Sequence, residues 1–199
     1  MKFFKENTYD IIRLFVNQIG ITIFSFFLYT AVGAIQDDAL TLKVQVVVSV
    51  FAILFYFSLL YTAAWDYGAK DKIRVDAGRA TLNKFRGALM GFFANLLNFI
   101  LSGITIIFMA FCVFEAGEWA QAPAAIFDMI TRFVESMYLG LLQGVFVAFK
   151  DNLYLYHFMQ AIGFFIMPVL SILSVHFGYS MGLKEKKIFP SAKKTKTNK

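Results

Sequence analysis

The stretch ALMGFFANLLNFILSGITIIFMAFCV, residues 88–113, is 26 residues long and contains no Asp, Glu, Lys or Arg. A helix needs about 20 apolar residues to cross the hydrocarbon core of a bilayer. An uncharged run of this length therefore predicts a transmembrane helix, and it sets the class in which the rest of the chain is interpreted.

Three further stretches, residues 14–35, 44–64 and 158–179, are also long enough to span and free of these charged residues. The whole chain is 59% hydrophobic and only 16% charged, whereas soluble domains carry about 25% charged residues. We predict an all-α fold, a polytopic integral membrane bundle with four transmembrane helices, formed by residues 1–183. Residues 184–199 are predicted to be a basic and disordered cytoplasmic tail.

A fifth apolar stretch, residues 137–149, has only 13 residues, and the turns before it contain Asp128, Arg132 and Glu135. This stretch is too short for an ordinary span. We therefore predict that residues 122–149 form an amphipathic or re-entrant helix that stays at the outer face. The alternative is six transmembrane helices, in which the third long span and this region form additional short crossings.

The basic residues predict the orientation, because Lys and Arg are retained on the cytoplasmic side of a membrane. With a cytoplasmic N-terminus and four crossings, sixteen of the 19 basic residues lie inside, and only Lys43, Arg132 and Lys150 lie outside. This distribution predicts a multi-pass protein of the cell membrane with both termini cytoplasmic. It also accounts for the net charge of +6 without a nucleic-acid partner.

The N-terminal segment has features of a signal peptide, with basic residues before an apolar run and Ala31-Val32-Gly33 as a possible cleavage site. The apolar run is 22 residues long, and Asn17 and Gln18 interrupt the part that should be the most apolar. We therefore expect an uncleaved first helix.

Small and polar residues recur every three or four positions through the third span, which places them on one helical face. They are Gly87, Gly91, Asn95, Asn98, Ser102 and Thr105. A buried asparagine in lipid costs free energy unless it is hydrogen-bonded. This face is therefore predicted to pack inside the bundle.

Gly140 and Gly144 belong to a GLLQG motif, and Gly87 and Gly91 to a GALMG motif. Glycines at this spacing let two helix backbones approach closely. Two interpretations follow: tight packing within one chain, or a face that forms a homo-oligomer.

The charged segment AAWDYGAKDKIRVDAGRATLNKFRG, residues 63–87, has helical spacing of its apolar residues and pairs of opposite charges three and four residues apart. It predicts that the second span continues as a helix that ends near Gly78. Asp66, Asp71 and Asp76 are candidate docking residues for a cytoplasmic partner. The alternative is a salt-bridged turn between two spans.

Few residues are suited to catalysis. The chain has one cysteine and two histidines, too few for the usual cysteine-based metal sites. Cys112 and His157 are a weak candidate nucleophile and base, and Asp128, Arg132 and Glu135 share one helical face that predicts an ion-paired surface. We therefore predict no enzyme, no cofactor and no metal site.

These observations favour a non-catalytic subunit, accessory or scaffold of a membrane complex. The alternative is an oligomeric channel or small-solute transporter, with Asn95 and Asn98 as candidates for lining a polar cavity. The predicted partners are the lipid bilayer and either other membrane proteins or further copies of the chain. The basic tail is predicted to be solvated or to bind anionic lipid headgroups.

Overall fold

The computed structural model describes residues 2–79, 81, 83–115 and 117–186, apart from the side chains at positions 2, 5 and 6. The structure is 87% helix with no strand in the described residues, which confirms the predicted all-α class. Four helices are long and apolar enough to cross a membrane. The tail from residue 187 onward lies outside the described residues.

Seven α-helices make up this part of the chain. They are α1 (Lys2–Val32), α2 (Asp38–Asp76), α3 (Arg86–Ala94), α4 (Leu96–Val113), α5 (Gln121–Val134), α6 (Ser136–Val145) and α7 (Leu153–Leu183). A short 3₁₀ turn precedes α5 at Glu118–Ala120, and another follows α6 at Val147–Phe149.

Local sequence explains both ends of α2. The carboxylate of Asp37 accepts hydrogen bonds from the backbone N–H groups of Ala39 and Leu40, at 2.9 and 3.0 Å, and so caps the first turn. After the last turn Gly78 adopts φ +67°, a left-handed conformation that glycine adopts without steric cost. The helix extends well beyond its apolar residues, in agreement with the extension predicted for the charged segment.

The long helices run so that the bundle has two distinct ends. We call the first the terminal end, where α1 and α3 begin and α2 and α7 finish. Arg86 at the start of α3 bonds to Asp10 of α1 there, and Gly182 of α7 packs on Trp65 of α2. The second is the hairpin end, where α1 and α4 finish and α2 and α7 begin.

The α2–α7 pair has the most extensive contact in the bundle. A Cβ atom added to Gly68 would lie 2.2 Å from the carbonyl oxygen of Tyr179, and one added to Gly182 would lie 2.2 Å from that of Trp65. The two backbones are therefore in direct contact, which only glycine permits at these positions. The adjoining core is apolar and includes Leu60, Met90, Phe164 and Val175.

The third predicted span is not one straight helix. It divides at Asn95, whose φ of −98° and ψ of 7° separate α3 from α4. The Asn95 side chain donates a hydrogen bond to the backbone oxygen of Gly91 at 2.9 Å. Such local bonding competes with the regular helix ladder, which explains an interruption that hydropathy alone does not predict.

Residues 122–149, predicted as one helix, instead form two helices that turn at Glu135. Helix α5 starts beside Met109 and Cys112 near the end of α4 and passes along α4 to Thr131, which bonds to Thr105. Helix α6 then returns, because Ser136 contacts Thr22 whereas Gln143 contacts Tyr29, further along α1. Both open ends of this α5–α6 hairpin thus lie at the hairpin end. Helix α5 packs along the side of the bundle with one face buried, at Ala124, Asp128 and Thr131, so the region is a hairpin and not the single helix predicted.

Candidate functional site

The turn of the hairpin is held in the bundle interior by α1. Thr22 donates a hydrogen bond to the carbonyl oxygen of Val134 at 2.7 Å, and Ser136 donates to the carbonyl oxygen of Thr22 at 2.8 Å. The first bond pairs the Val134 oxygen, which the interruption of the helix leaves without its regular partner, and the second ties the start of α6 to α1. The turn at Glu135 is therefore a built feature with dedicated partners.

Glu135 is the most unusual residue of this turn. It is 0% exposed, and neither of its carboxylate oxygens has a hydrogen-bond partner among the described residues. Tyr56 of α2 and Tyr138 of α6 are its nearest titratable neighbours and are also buried. A buried carboxylate without a counter-charge is expensive, so the site favours a neutral acid or a bound cation.

A chain of polar side chains lies between α1, α3 and α4. Gln18 donates to Asn98 at 2.7 Å, and Asn98 donates to Asn95 at 3.3 Å. Ser102 donates to the carbonyl oxygen of Asn98 at 2.6 Å. The structure thus places Asn95, Asn98 and Ser102 inside the bundle, and it shows that Asn98 is bonded to Gln18 of α1, a pairing that the sequence did not identify.

The candidate packing glycines all contact helices of the same chain. Gly87 lies against Tyr179 and His176 of α7, and Gly91 lies against Ile172 and Val175 of the same helix. Gly140 packs on Gln45 and Ser49 of α2, and Gly144 packs on Val46. These contacts account for both GxxxG motifs within one chain.

A second polar cluster lies near the hairpin end. The Nε atom of Arg132 donates to the Oδ2 atom of Asp128 at 2.6 Å, and its Nη2 group bonds to Gln160 of α7. The Nδ1 atom of His157 is 2.7 Å from the same Oδ2 of Asp128 and 2.8 Å from Nη2 of Arg132. The Asp128–Arg132 pair agrees with the ion pairing expected, but Glu135 takes no part in it because the hairpin turn carries it into the interior.

Two cavities open beside this cluster, and Asp128 and His157 line both. The larger has a volume of about 670 Å³ and lies between α1 and the hairpin, with Phe26, Tyr29 and Phe133 in its wall. The smaller has a volume of about 470 Å³ and lies between α4, α5 and the start of α7. His157 is therefore reachable from outside the bundle, with 25% of its side chain exposed.

The candidate docking residues have different environments. Asp66 and Asp76 are exposed, whereas Asp71 is only 6% exposed and accepts hydrogen bonds from Arg86 and from Tyr179, the latter at 2.7 Å. Asp71 is therefore not exposed to a docking partner, whereas docking at Asp66 and Asp76 stays a prediction. Its carboxylate is used to join α2, α3 and α7 at the terminal end.

The weak catalytic pair suggested by the sequence is not assembled. Cys112 packs with Met109, Ala120 and Ala124 in a small apolar cluster. His157 bonds to Asp128 and Arg132, and within the described ranges no hydrogen bond joins it to Cys112. Met109 and Ala124 border both side chains, but the bonds of His157 are directed to Asp128 and Arg132.

Sequence reasoning missed the role of Glu135 because it assigned that residue to an exposed helix face. One signal was available, since Ser136, Gly140, Gly144 and Ala148 recur every four residues directly after it. That spacing indicates a tightly packed helix that begins at Ser136, and so it marks Glu135 as the position where a new helix starts. No family model, curated protein or solved structure matches this chain.

Proposed function

We propose that the chain is an integral protein of the cell membrane in which the α5–α6 hairpin is re-entrant from the outer side. Many large apolar side chains are exposed on the bundle, among them Phe27, Val47, Leu54, Ile107 and Leu173. A surface of this kind suits lipid and not water. The basic residues near Arg74 and Arg86 lie at the terminal end, which supports a cytoplasmic location for both termini.

We infer that the protein is a membrane transport protein, a channel or carrier for a small solute or ion. The observation that carries this proposal is the Glu135 carboxyl, which is fully buried and has no partner at the turn of the hairpin. Ionisable residues inside a membrane bundle are costly, so they are retained mainly where they bind or move an ion or a polar solute.

The interrupted helices support the same function. Transport proteins bind their ions and substrates where helices are broken, because irregular backbone at membrane depth needs partners from protein, water or substrate. Here α5 and α6 break at Glu135, and α3 and α4 break at Asn95. A structural bundle has no need to keep an unpaired acid between such breaks. The polar groups belong to one chain, so enclosing them does not require an oligomer.

The proposal is tested with purified protein in liposomes. Flux of Na⁺, K⁺, Cl⁻, H⁺ and glycerol is measured with ion-selective dyes and by vesicle swelling. We expect flux of at least one of these species, reduced at least about tenfold by Glu135→Gln. The matched control is Glu118→Gln, because Glu118 is exposed and the substitution is chemically the same.

Two results would overturn the transport function. One is the absence of flux above that of empty liposomes for every species of the panel. The other is equal flux in Glu135→Gln and the unchanged chain. If, in addition, mild solubilisation recovers the chain with other membrane proteins in a fixed ratio, the role of a non-catalytic subunit is favoured instead.

A further inference from the structure

We propose that the species bound at Glu135 is a proton, and that it is exchanged with the outer side through the His157–Asp128 pair. This inference rests on the proposed transport function and deepens it by naming the bound species. It follows from the chemistry of the two polar clusters and from their order along α5.

The surroundings of Glu135 favour a proton over a metal cation. The elements packed around it contribute Tyr56 from α2, Tyr138 from α6, Thr22 from α1 and Ser171 from α7. Thr22 already donates to the backbone of Val134, and Ser171 donates to that of Pro168. No Lys, Arg or His forms an ion pair with the carboxylate in the part of the chain that the structure describes.

A metal cation needs several oxygen ligands arranged around a vacant space. The described residues contain no group of three or more His, Cys, Asp or Glu side chains that could hold one. The two cavities at the hairpin end are lined by Asp128 and not by Glu135. A proton needs neither a ligand shell nor a cavity, because it is bound covalently to one carboxylate oxygen.

The His157 ring lies between a proton acceptor and a proton donor. Its Nδ1 atom faces an acceptor, Oδ2 of Asp128 at 2.7 Å, and a donor, Nη2 of Arg132 at 2.8 Å. A ring nitrogen carries either a proton or a lone pair, so one of these two contacts is unfavourable in each state. The other titratable neighbours are Tyr29, Tyr154 and Tyr156.

The proposed route for the proton runs from His157 and Asp128 to Glu135, which follows the last residue of α5. Asp128 and Glu135 are seven residues apart, about 10 Å along the helix axis, with Thr131 between them and bonded to Thr105. In the proposed route His157 accepts a proton from an external hydronium ion, which leaves a water molecule, and forms imidazolium. Release of that proton breaks one N–H bond, and its arrival at Glu135 forms one O–H bond and a neutral acid. No electron is transferred.

The test uses the full chain in detergent and does not depend on flux. Dicyclohexylcarbodiimide modifies protonated carboxyl groups in apolar surroundings, and mass spectrometry of fragments locates the product. We expect modification at Glu135, with a rate that falls about tenfold for each pH unit above its midpoint. Replacing choline chloride by sodium chloride should leave the rate unchanged. Infrared spectroscopy should show a protonated-carboxyl band that Glu135→Gln removes and Glu118→Gln retains.

Three outcomes would overturn the inference. Protection of Glu135 by sodium would identify a sodium site. A rate independent of pH, with no change in the carboxyl band, would show that Glu135 does not exchange protons. The His157→Gln variant should retain the infrared carboxyl band of Glu135. If its rate of proton exchange at Glu135 is unchanged, His157 is not part of the route. Glu135→Asp, which keeps a carboxyl, should retain a pH-dependent band and so separates loss of the proton site from misfolding.

The modification and flux experiments together distinguish failure of this inference from failure of the transport function. Proton uptake at Glu135 without flux through liposomes would refute transport and leave the proton site in place. If flux depends on Glu135 but sodium slows the modification of Glu135, the transport function is retained and the proton is rejected as the bound species.

Discussion

The close packing of α6 against α2 can be tested by the single substitution Gly140→Ala. Helix α6 lies so close to α2 that a Cβ atom added to Gly140 would be 2.3 Å from the carbonyl oxygen of Gln45 and 2.7 Å from the hydroxyl of Ser49. Ordinary contacts of a Cβ atom begin at 3.4 Å. The two helices would therefore have to separate by about 1 Å, since the nearest obstacle is backbone and cannot rotate away.

The magnitude follows from two opposing effects. Overpacking a close helix contact costs about 1–3 kcal/mol, whereas replacing glycine by alanine inside a helix contributes about 0.5–1 kcal/mol of stability. Gly20→Ala isolates the second effect, because nothing lies within 4 Å of a Cβ atom added to Gly20. The propensity gain cancels between the two variants, so their free energies of unfolding should differ by about 2 kcal/mol.

The assay is thermal unfolding of both purified variants in the same mild detergent. For a chain of this size 1 kcal/mol corresponds to about 2–4 °C, so Gly140→Ala should unfold about 4–8 °C below Gly20→Ala. In liposomes Gly140→Ala should also lose flux, because displacement of α6 moves the Glu135 turn.

Equal melting temperatures of Gly140→Ala and Gly20→Ala would refute the reasoning. They would mean that α6 does not press on the backbone of α2, and the position of Glu135 in the interior would then lose its support. A melting temperature of Gly20→Ala below that of the unchanged chain would show that alanine does not stabilise this helix relative to glycine in detergent.

Three further predictions concern single residues. Asp71→Asn should lower the free energy of unfolding by about 2–3 kcal/mol, because Arg86 keeps only Asp10 as a counter-charge and Tyr179 loses a charged acceptor. Exposed Asp66→Asn should change it by less than about 0.5 kcal/mol, and similar melting curves would contradict the buried role of Asp71. The melting temperature should fall as the pH rises above about 4, the ordinary range of a glutamate, because the Glu135 carboxyl is buried without a partner when folded and is solvated when unfolded. Glu135→Gln should flatten this fall, and parallel profiles would rule out the linkage. In a chain whose native cysteine is replaced by alanine, a membrane-impermeant maleimide should label Asp37→Cys but not Asp76→Cys in intact cells, and the reverse pattern would invert the orientation.

The sequence alone was sufficient for the all-helical class and for four helices of spanning length, since uncharged runs of about 20 residues are a local property. Helix boundaries were less accurate. The first span was predicted for residues 14–35, but α1 begins at Lys2 and ends at Val32. The continuation of α2 to Asp76 was predicted, but from the helical spacing of the charged segment and not from hydropathy. Hydropathy marks the apolar part of a helix, whereas hydrogen bonding and capping set its ends.

The candidate site was predicted only in part. Asn95, Asn98 and Ser102 were expected to face the interior because polar residues at helical spacing form one face, and that spacing is visible in the chain itself. Glu135 was assigned to an ion-paired surface with Asp128 and Arg132, because helical spacing over seven residues presumes an uninterrupted helix. The turn after Val134 ends that regularity, so the third member of the pattern points elsewhere.

What the sequence determined by itself is the class of the fold, through hydrophobicity and charge that act over a few helical turns. What only the tertiary structure decided is which polar groups meet. Thr22 and Val134 are 112 residues apart, Gln18 and Asn98 are 80 apart, and Asp71 and Tyr179 are 108 apart. Contacts over such distances depend on how seven helices pack together. The same packing leaves the Glu135 carboxyl without a partner in the interior of the bundle.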